Sequence, residues 1–538
     1  MNHHTLNPFR SPLIAKGALL LLLATTMAAF PARSGEVRLW ETNQVIPTYQ
    51  VGPPDPNPRF FQGRAYQGAK ATTYPYPVRD TLTDVRENRN YQTVFLENQY
   101  IQFSVIPELG GRIFTALDKG NQHDFFYRQT VIKPALIGML GAWISGGVEF
   151  NIPHHHRTTS FLPVDHKVEE QPDGTKTVWI GETELRHRLK WSVGLSLHPD
   201  RSYIEMTVRA ENRTPLAQSF LFWINPAVKA TPKYQVVFPP DAEFAVQHGK
   251  PEFAHWPLAF ETYDNTDYTR AVDISQWKNH PSPVSFFCFR SDENFFGGYD
   301  HGLQAGVMHV ANHHVAPGKK FFLWGTGEEG AAWSRILTDT DGPYLELMAG
   351  AYSDNQPDYS WIQPGEVKTW KHYWYPTRQL GVAKQANRDA ALNLEITNRT
   401  AKIAVNTTTE FRNAQVRLVR AEKILFTQTL SISPAAPFTT SVELQGSVNP
   451  EELRLSVHTE DGKELIAYQP ATRKSSPLPE PVHRPEPPAD IETNEELYLT
   501  GLRIEQLHSP SFEAAPYYEE AIERDPGRRE RPVERLAL

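Results

Sequence analysis

Residues 190–212 read KWSVGLSLHPDRSYIEMTVRAEN. Apolar and polar residues alternate on both sides of a central HPDRS segment, which has the composition of a turn. A period of two with one polar face predicts two antiparallel strands, joined as a hairpin and buried on one side. The residues predicted to face the core are Trp191, Val193, Leu195, Leu197, Ile204, Met206, Val208 and Ala210.

Strand patterns of this kind recur from about Tyr100 to Tyr375, and helical patterns there are few and short. The sequence therefore predicts an all-β fold, with a large antiparallel double sheet over residues 91–380. A second run of short strands predicts a small Ig-like sandwich over residues 387–470. Residues 36–90 are rich in Pro, Tyr and Asn and are predicted to form an arm that wraps the larger unit.

The composition changes after the small sandwich. Residues 471–492 are rich in Pro and predict a stiff linker. Residues 493–526 predict two amphipathic helices with the residue spacing of a tetratricopeptide repeat. About three such repeats are needed for stability, so we expect this one either to pack on the body or to belong to a truncated array, and we favour truncation. The positions that carry the pattern are Leu497, Gly501, Ile504, Ala514, Tyr518, Ala521 and Pro526.

The N-terminal residues predict a signal peptide. Arg10 and Lys16 precede the apolar run GALLLLLATTMAAF, and small residues follow up to Ser34. The run is shorter than the roughly 20 residues of a membrane span, so an anchor is the less favoured alternative. Cys288 is the single cysteine, which excludes an intrachain disulfide. We therefore expect a periplasmic or secreted bacterial protein.

The charge and the aromatic content limit the ligand classes. A net charge of −8 argues against nucleic acid, which clustered Lys and Arg side chains bind. Aromatic residues make up 11% of the chain and include 12 Trp, which suits stacking on sugar rings. The alternative interpretation is that most of these aromatic side chains pack in the hydrophobic core.

The segment 146–166, GGVEFNIPHHHRTTSFLPVDH, concentrates titratable groups. Glu149 follows two glycines, which allow another group to approach the backbone closely. Apolar neighbours would raise the pKa of Glu149, as a general acid requires. The alternative is a buried Glu149 paired with Arg157.

The three adjacent histidines of this segment make a poor metal site, because in extended chain His154 and His156 share one face and His155 points away. We predict hydrogen bonding to sugar hydroxyls or proton transfer for them, together with Asp165, and expect neither a metal nor a cofactor. The alternative interpretation is that these histidines are simply polar residues on the rim of a cleft.

Glu346 lies within an apolar strand between Leu345 and Leu347. Because a strand alternates its faces, Glu346 points away from both leucines, into solvent or into a polar cleft. A third set of candidates comes from neighbouring polar segments: His309, His313, His314 and Asp354.

Several long segments resemble a bacterial domain family of unknown function in the galactose mutarotase-like superfamily, whose members often precede tetratricopeptide repeats. They include ELGGRIFTALDK, GAWISGGVEFN, WINPAVKA, HVANHHVAPGKKFFLWG and DGPYLELMAGAYSDNQPDYSWIQPGE. The resemblance implies a supersandwich with a sugar cleft, and places Trp223, Asn225 and Trp324 among the substrate-binding residues. Mutarotases use a His as acid and a Glu as base. Glu346 resembles that Glu, whereas the His is one of residues 154–156, His309 or His313.

Three functions follow as hypotheses. The first is glycoside hydrolysis by Glu149 and Glu346, with carboxyl groups roughly 5–5.5 or 6.5–9.5 Å apart. The second is aldose 1-epimerisation by a His and Glu346. The third is glycan binding without catalysis. A cleft that holds both glutamates favours the first, and Glu346 facing only a His favours the second. The expected partners are an oligo- or polysaccharide and a protein at the helix pair, with neither nucleic acid nor a membrane span in the mature chain.

Overall fold

A computed structural model describes residues 35–55, 73–137, 141–356, 358–446, 448–472, 476–506 and 512–528. The predicted signal peptide, residues 1–34, lies outside these ranges. Within them, none of the helices has the length and apolarity that crossing a membrane requires. The predicted all-β class is confirmed, because long antiparallel strands form two large sheets and a small sandwich.

The larger sheet has twelve strands among the described residues, and five of them carry the candidate site. These five are β1 (Val148–Asn151), β2 (Phe222–Lys229), β3 (Val284–Phe289), β4 (Gly318–Leu323) and β5 (Tyr344–Ala351). They lie side by side in the order β1–β2–β5–β4–β3. The strands outside β1 are, from the edge inward, Arg38–Val51, Leu82–Glu97, Ile101–Ile106 and Arg112–Asp118, with His123–Asp124 paired to the last; Phe244–Val246 and Phe253–His255 follow β3.

The second sheet has eight strands in the described part of the chain and includes the predicted hairpin. Its two strands, Leu189–Leu197 and Ile204–Asn212, pair antiparallel with Val193 opposite Val208. The eight residues predicted to face the core from this hairpin are buried, so that prediction is confirmed. The full order is Tyr234–Val237, Phe295–Asp300, Ala305–Val310, Val367–Arg378, Ile204–Asn212, Leu189–Leu197, Lys176–Thr183 and Asp165–Glu170.

The main core lies between the two sheets. Both contribute alternate side chains, such as Leu345 and Leu347 of β5 and Val193 of the second sheet. Trp374 is fully buried there and packs edge-on against Phe126, with ring centroids 5.7 Å apart. Since one face of each strand fills this core, the opposite face of the larger sheet is available for a site.

The segment predicted as a wrapping arm contributes the outermost strand of the larger sheet. Arg38–Val51 pairs along its length with Leu82–Glu97, and Trp40 stacks on Phe95 with ring centroids 5.1 Å apart. Much of this strand is only partly buried, as is typical of an edge strand, so the sequence shows little apolar periodicity there.

The small sandwich has two four-stranded sheets and its own core, with Leu394, Val416 and Leu455 at its centre. A further cluster, which includes Tyr375 and Ala404, joins it to the larger unit. The first sheet is Gln385–Ala386, Ala390–Thr397, Thr400–Thr407 and Phe438–Glu443, and the second is Lys423–Ile432, Phe411–Arg420, Leu453–His458 and Glu464–Tyr468.

Three α-helices occur in the described residues: α1 (Glu328–Leu337), α2 (Asn494–Gln506) and α3 (Ala515–Arg524). The last two pack against each other as the repeat pattern predicts, with Gly501 directly against the ring of Tyr518. The remaining elements are short. The 3-10 turns are Pro107–Leu109, Thr158–Phe161, Trp277–Asn279, Pro450–Glu452, Pro488–Asp490 and Pro526–Arg528; the two-stranded ladders are Ala135–Leu136 with Ala142–Trp143, Gln218–Phe220 with Ser360–Ile362, Leu258–Ala259 with Val272–Asp273, and Thr262–Tyr263 with Thr266–Asp267.

Candidate active site

The strand register brings distant polar residues together on the face of the larger sheet that points away from the core. On β5, Leu345 and Leu347 enter the core, so Glu346 and Met348 occupy the other face. Lys320 of β4 lies opposite Met348. By the same alternation, Glu149 and Asn225 face each other across β1 and β2.

A cavity of about 660 Å³ opens on this face. Its volume falls within the range of small-molecule sites. Its walls combine aromatic rings with a few titratable groups, as sugar sites do. Its lining residues are Asp80, Leu136, Ile137, Gly141, Trp143, His155, His156, Trp223, Gln247, His248, Asp264, Pro283, Val284, Ser285, Lys320, Phe322, Trp324, Glu329, Trp333, Glu346, Met348 and Gln356.

Glu149 lies behind the cavity wall and its carboxylate is bound by three donors. The Trp143 indole donates to Oε1 at 3.0 Å, and His156 Nδ1 and Asn225 Nδ2 bind Oε2 at 3.0 and 3.4 Å. Burial raises the pKa of Glu149, but the charge and hydrogen bond of His156 and the charge of Arg112 outweigh it, so the pKa lies below its ordinary value. The expectation of a raised pKa for Glu149 is therefore wrong.

This carboxylate fixes the orientation and the tautomer of His156. Because a carboxylate only accepts hydrogen bonds, Nδ1 of His156 carries a proton, and Nε2 is the ring nitrogen left to exchange a proton with a ligand. The ring lies edge-on to Trp143 and Trp223, with centroid distances of 5.4 and 4.9 Å. Arg157, the alternative partner of Glu149, instead binds Glu182 at 3.2 Å.

Glu346 lies on the cavity wall, and its pKa is shifted in the opposite direction to that of Glu149. Its carboxyl accepts a hydrogen bond from the Tyr344 hydroxyl at 3.1 Å. Burial raises its pKa; the charges of His156 and Lys320 oppose that rise, and the charge of Glu149 adds to it. The net result is a pKa above the ordinary value, as a general acid requires at neutral pH.

Lys320, His248 and Ser285 form a hydrogen-bonded chain on the neighbouring wall. Lys320 Nζ donates to His248 Nε2 at 3.0 Å, and His248 Nδ1 lies 3.0 Å from Ser285 Oγ. Burial lowers the pKa of Lys320 to about 7, although the charge of Glu346 opposes the shift. Burial also holds the pKa of His248 well below its ordinary value, so this ring is neutral.

Sequence reasoning missed Lys320 and His248. The available signal was the pattern GKKFFL, in which a strand that buries Phe321 and Leu323 must point Lys320 to the opposite face, as Leu345 and Leu347 do for Glu346. His248 follows its strand directly and has no such pattern.

The side chains of the three adjacent histidines do not point in the directions that were predicted. His155 and His156 both line the cavity, whereas His154 contacts Ser219 and the ring of Tyr359 outside it. The cause is the backbone: His155 has a φ of 49°, so this stretch is bent and the alternation of an extended strand does not apply. The expectation that His154 and His156 share one face while His155 points away is therefore wrong, and of the three histidines predicted to bind substrate, His154 is the one outside the cavity.

The other predicted site residues fall into two groups. Trp223 and Trp324 line the cavity, and Trp324 stacks on Trp333 of α1 with centroids 4.4 Å apart. Asn225 is buried behind the wall, where it binds Glu149. Asp354 is paired with Lys250 at 3.1 Å, in a small hollow that shares lining residues with the cavity.

Four predicted residues lie away from this cavity. Asp165 is exposed at the edge of the second sheet. His309 is buried between the sheets and hydrogen-bonded to His372 at 2.9 Å. His313 and His314 are in a surface turn, where His313 binds Asn294. The described residues include no cluster of three or more His, Cys, Asp or Glu side chains that could hold a metal ion.

Gly147 allows β1 to begin where it does, as the glycine pair suggested. It has a φ of 59°, and a Cβ there would overlap the carbonyl oxygen of Ile113. We expect Gly147→Ala to lower the free energy of unfolding by roughly 1–3 kcal/mol or more, because strain and overlap add. Urea unfolding measures it. Gly365→Ala is the control, since Gly365 has a φ of 72° and open space around its Cβ position, and an equal loss in both variants would contradict the role of the overlap.

Fold and site together define a two-sheet antiparallel β protein with a cavity on one sheet that is lined by aromatic and titratable residues. Residues 69–377 match the family model described as domain of unknown function DUF5107. This match covers more than half of the chain, and the chain therefore belongs to the DUF5107 family, which confirms the resemblance found in the sequence. Residues 385–468 match the second domain of YphG-like proteins.

Among solved structures, a TPR-domain containing protein from Parabacteroides distasonis is similar, with 25% identity and a TM-score of 0.55. The match covers 64% of this chain and 56% of that protein. A putative aldose 1-epimerase from Escherichia coli K12 matches at 11% identity and a TM-score of 0.36, over 52% of this chain and 97% of its own. A galactose mutarotase-like protein from Clostridium acetobutylicum has the same identity and TM-score, over 54% and 96%.

Proposed function

We propose that the cavity binds an aldose and catalyses the proton transfers that open and close its ring, an aldose 1-epimerase type of reaction. The observation that carries this proposal is that Glu346 and His156 both line one cavity. The protein would thus act on carbohydrate, as the resemblance implies.

Ring opening requires a proton to leave the anomeric hydroxyl and another to reach the ring oxygen. His156 Nε2 is the ring nitrogen that Glu149 does not bind, so it can accept the proton of the anomeric hydroxyl, and the raised pKa of Glu346 favours its protonated form. One group accepts while the other donates, and they exchange roles when the ring closes on the other face of the carbonyl. Trp223 and Trp324 offer rings against which the sugar can stack.

The contacts of Glu149 favour this reaction over hydrolysis by two glutamates. A glycosidase places both carboxyl groups at the scissile bond. Three protein donors bind the carboxylate of Glu149, and the cavity is lined by His156 and Trp143 in front of it. Glu149 is therefore better suited to position His156 than to contact substrate.

The test is an NMR exchange experiment on purified protein with a panel of aldoses that includes D-galactose and D-glucose. We expect interconversion of the α and β anomers to accelerate in proportion to protein concentration. An oligosaccharide panel, assayed for new reducing ends, runs beside it. Release of reducing ends without faster anomer exchange would favour hydrolysis, and sugar binding without either reaction would favour a glycan-binding protein.

We also propose export to the periplasm or the medium, on the basis of the predicted signal peptide, and a protein partner at the α2–α3 helix pair. Cell fractionation tests the first proposal. Loss of a co-purified protein after replacement of the exposed Leu499 by Glu tests the second.

A further inference from the structure

Lys320 is the feature of the cavity that ring opening by His156 and Glu346 does not use. It lies on β4, is 8% exposed, and lines the cavity. Burial of an ammonium group is costly unless a carboxylate pairs with it. Among the described residues, no carboxylate forms an ion pair with its Nζ, which instead hydrogen-bonds to the neutral ring of His248.

The surroundings of Lys320 therefore favour the uncharged amine. Burial lowers the pKa of Lys320 to about 7, well below the value near 10.4 of an ordinary lysine, so the uncharged amine is far more accessible here at neutral pH. A neutral, desolvated lysine amine is a nucleophile towards carbonyl carbon.

An acid for the subsequent loss of water is adjacent. Lys320 lies directly opposite Met348, so Glu346 is its diagonal neighbour on β5, at a typical cross-strand distance of about 7–8 Å between backbone positions. Two long side chains at such positions can both reach one small molecule between them.

We propose that Lys320 forms an imine with the open-chain aldehyde of an aldose in this cavity. This inference deepens the proposed function, because ring opening at the same site supplies the aldehyde. Nζ attacks C1 and gives a carbinolamine. Glu346 then donates a proton to the departing hydroxyl, water leaves, and the Glu346 carboxylate takes the remaining proton from the nitrogen, so that the neutral imine and the protonated Glu346 are both formed. One amine and one aldehyde thus yield one imine and one water, with no change of oxidation state.

The test uses the whole protein with glycolaldehyde and sodium cyanoborohydride, followed by peptide mapping. Glycolaldehyde needs no ring opening, so it probes the amine independently of the proposed epimerase reaction. We expect Lys320 to be alkylated at pH 7 about 10-fold or more faster than Lys167, whose side chain is 71% exposed. Between pH 9 and pH 7 the rate at Lys320 should fall far less than the roughly 100-fold expected of an amine with the reference lysine pKa near 10.4.

Two variants make the result specific. Lys320→Arg keeps a cation but cannot form an imine, so its peptide should carry no adduct, and Glu346→Gln should slow the labelling of Lys320. Labelling of Lys167 without Lys320 in folded protein, or the same pH dependence at both lysines, would overturn the proposal.

Anomer exchange is measured on the same samples. Exchange without a Lys320 adduct refutes the imine alone. An adduct without exchange refutes the epimerase proposal and leaves the nucleophilic lysine in place. Where both hold, D-galactose with cyanoborohydride should inactivate exchange in wild type progressively, in step with the growth of the Lys320 adduct.

Discussion

Replacement of Glu346 by Gln is expected to lower kcat/KM for anomer exchange by about 10²–10⁴-fold, the typical contribution of a general acid or base. The amide has nearly the same shape as the carboxyl group and can still accept the hydrogen bond of Tyr344. The amide of Gln cannot, however, donate a proton to the ring oxygen of the sugar or take it back. NMR exchange at saturating and subsaturating sugar separates the loss in kcat from any change in KM.

The same variant changes stability in a direction that the raised pKa fixes. A carboxyl whose pKa is higher in the folded protein stabilises the fold below its unfolded pKa, and this contribution is lost as pH rises through the folded pKa. We therefore expect Glu346→Gln to be more stable relative to wild type at pH 8 than at pH 4 in urea unfolding.

Glu205→Gln is the matched control for Glu346→Gln. Glu205 is a buried carboxylate of the second sheet, paired with Lys371 and His198. Burial raises its pKa, but these two partners outweigh burial and lower the pKa to about 2. The control should lose stability at neutral pH and retain anomer exchange. Equal activity in Glu346→Gln and wild type would contradict the assignment of Glu346.

The local pattern of the sequence was sufficient for the fold class and for the orientation of Glu346. Alternation over a hairpin depends on neighbouring residues and on one buried face, so the strands around Val193 and Val208 could be predicted. The same rule applied to Leu345 and Leu347 placed Glu346 on the opposite face. The edge strand Arg38–Val51 could not be found this way, because much of it is only partly buried.

The protonation states of the site could not be predicted from local pattern, because they depend on groups from other strands. Glu149 and Arg112 lie on different strands, and the charge of Arg112 helps to lower the pKa of Glu149. His155 lines the cavity because its φ is positive, and the neighbouring sequence does not predict that backbone conformation. Lys320 acquires its lowered pKa from burial, to which strands on both sides contribute.

Removal of the Glu149 side chain is expected to cause the largest loss of stability. Glu149→Ala leaves the Trp143 indole and the Asn225 amide without their acceptor in a buried place, and removes the partner of His156. Breaking a buried charged pair on one side typically costs 3–5 kcal/mol, so we expect a fall of about that size in the free energy of unfolding. Glu149→Gln retains an acceptor oxygen and should lose less.

The pH dependence identifies the carboxylate as the cause. Because the folded pKa of Glu149 is below its unfolded value, its contribution is present above the unfolded pKa and is lost as pH falls through the folded pKa. The difference between wild type and Glu149→Gln in urea unfolding should therefore be large at pH 7 and shrink towards pH 3.

Activity separates the positioning role of Glu149 from a purely structural one. Without the carboxylate, His156 loses the group that fixes its tautomer, so anomer exchange should fall in Glu149→Gln. Glu184→Gln is the control: this buried carboxylate binds Arg186 and His187, and its loss should reduce stability without affecting exchange. If Glu149→Gln keeps the wild-type rate of exchange while His156→Gln abolishes exchange, His156 does not depend on Glu149, and the carboxylate serves the fold alone.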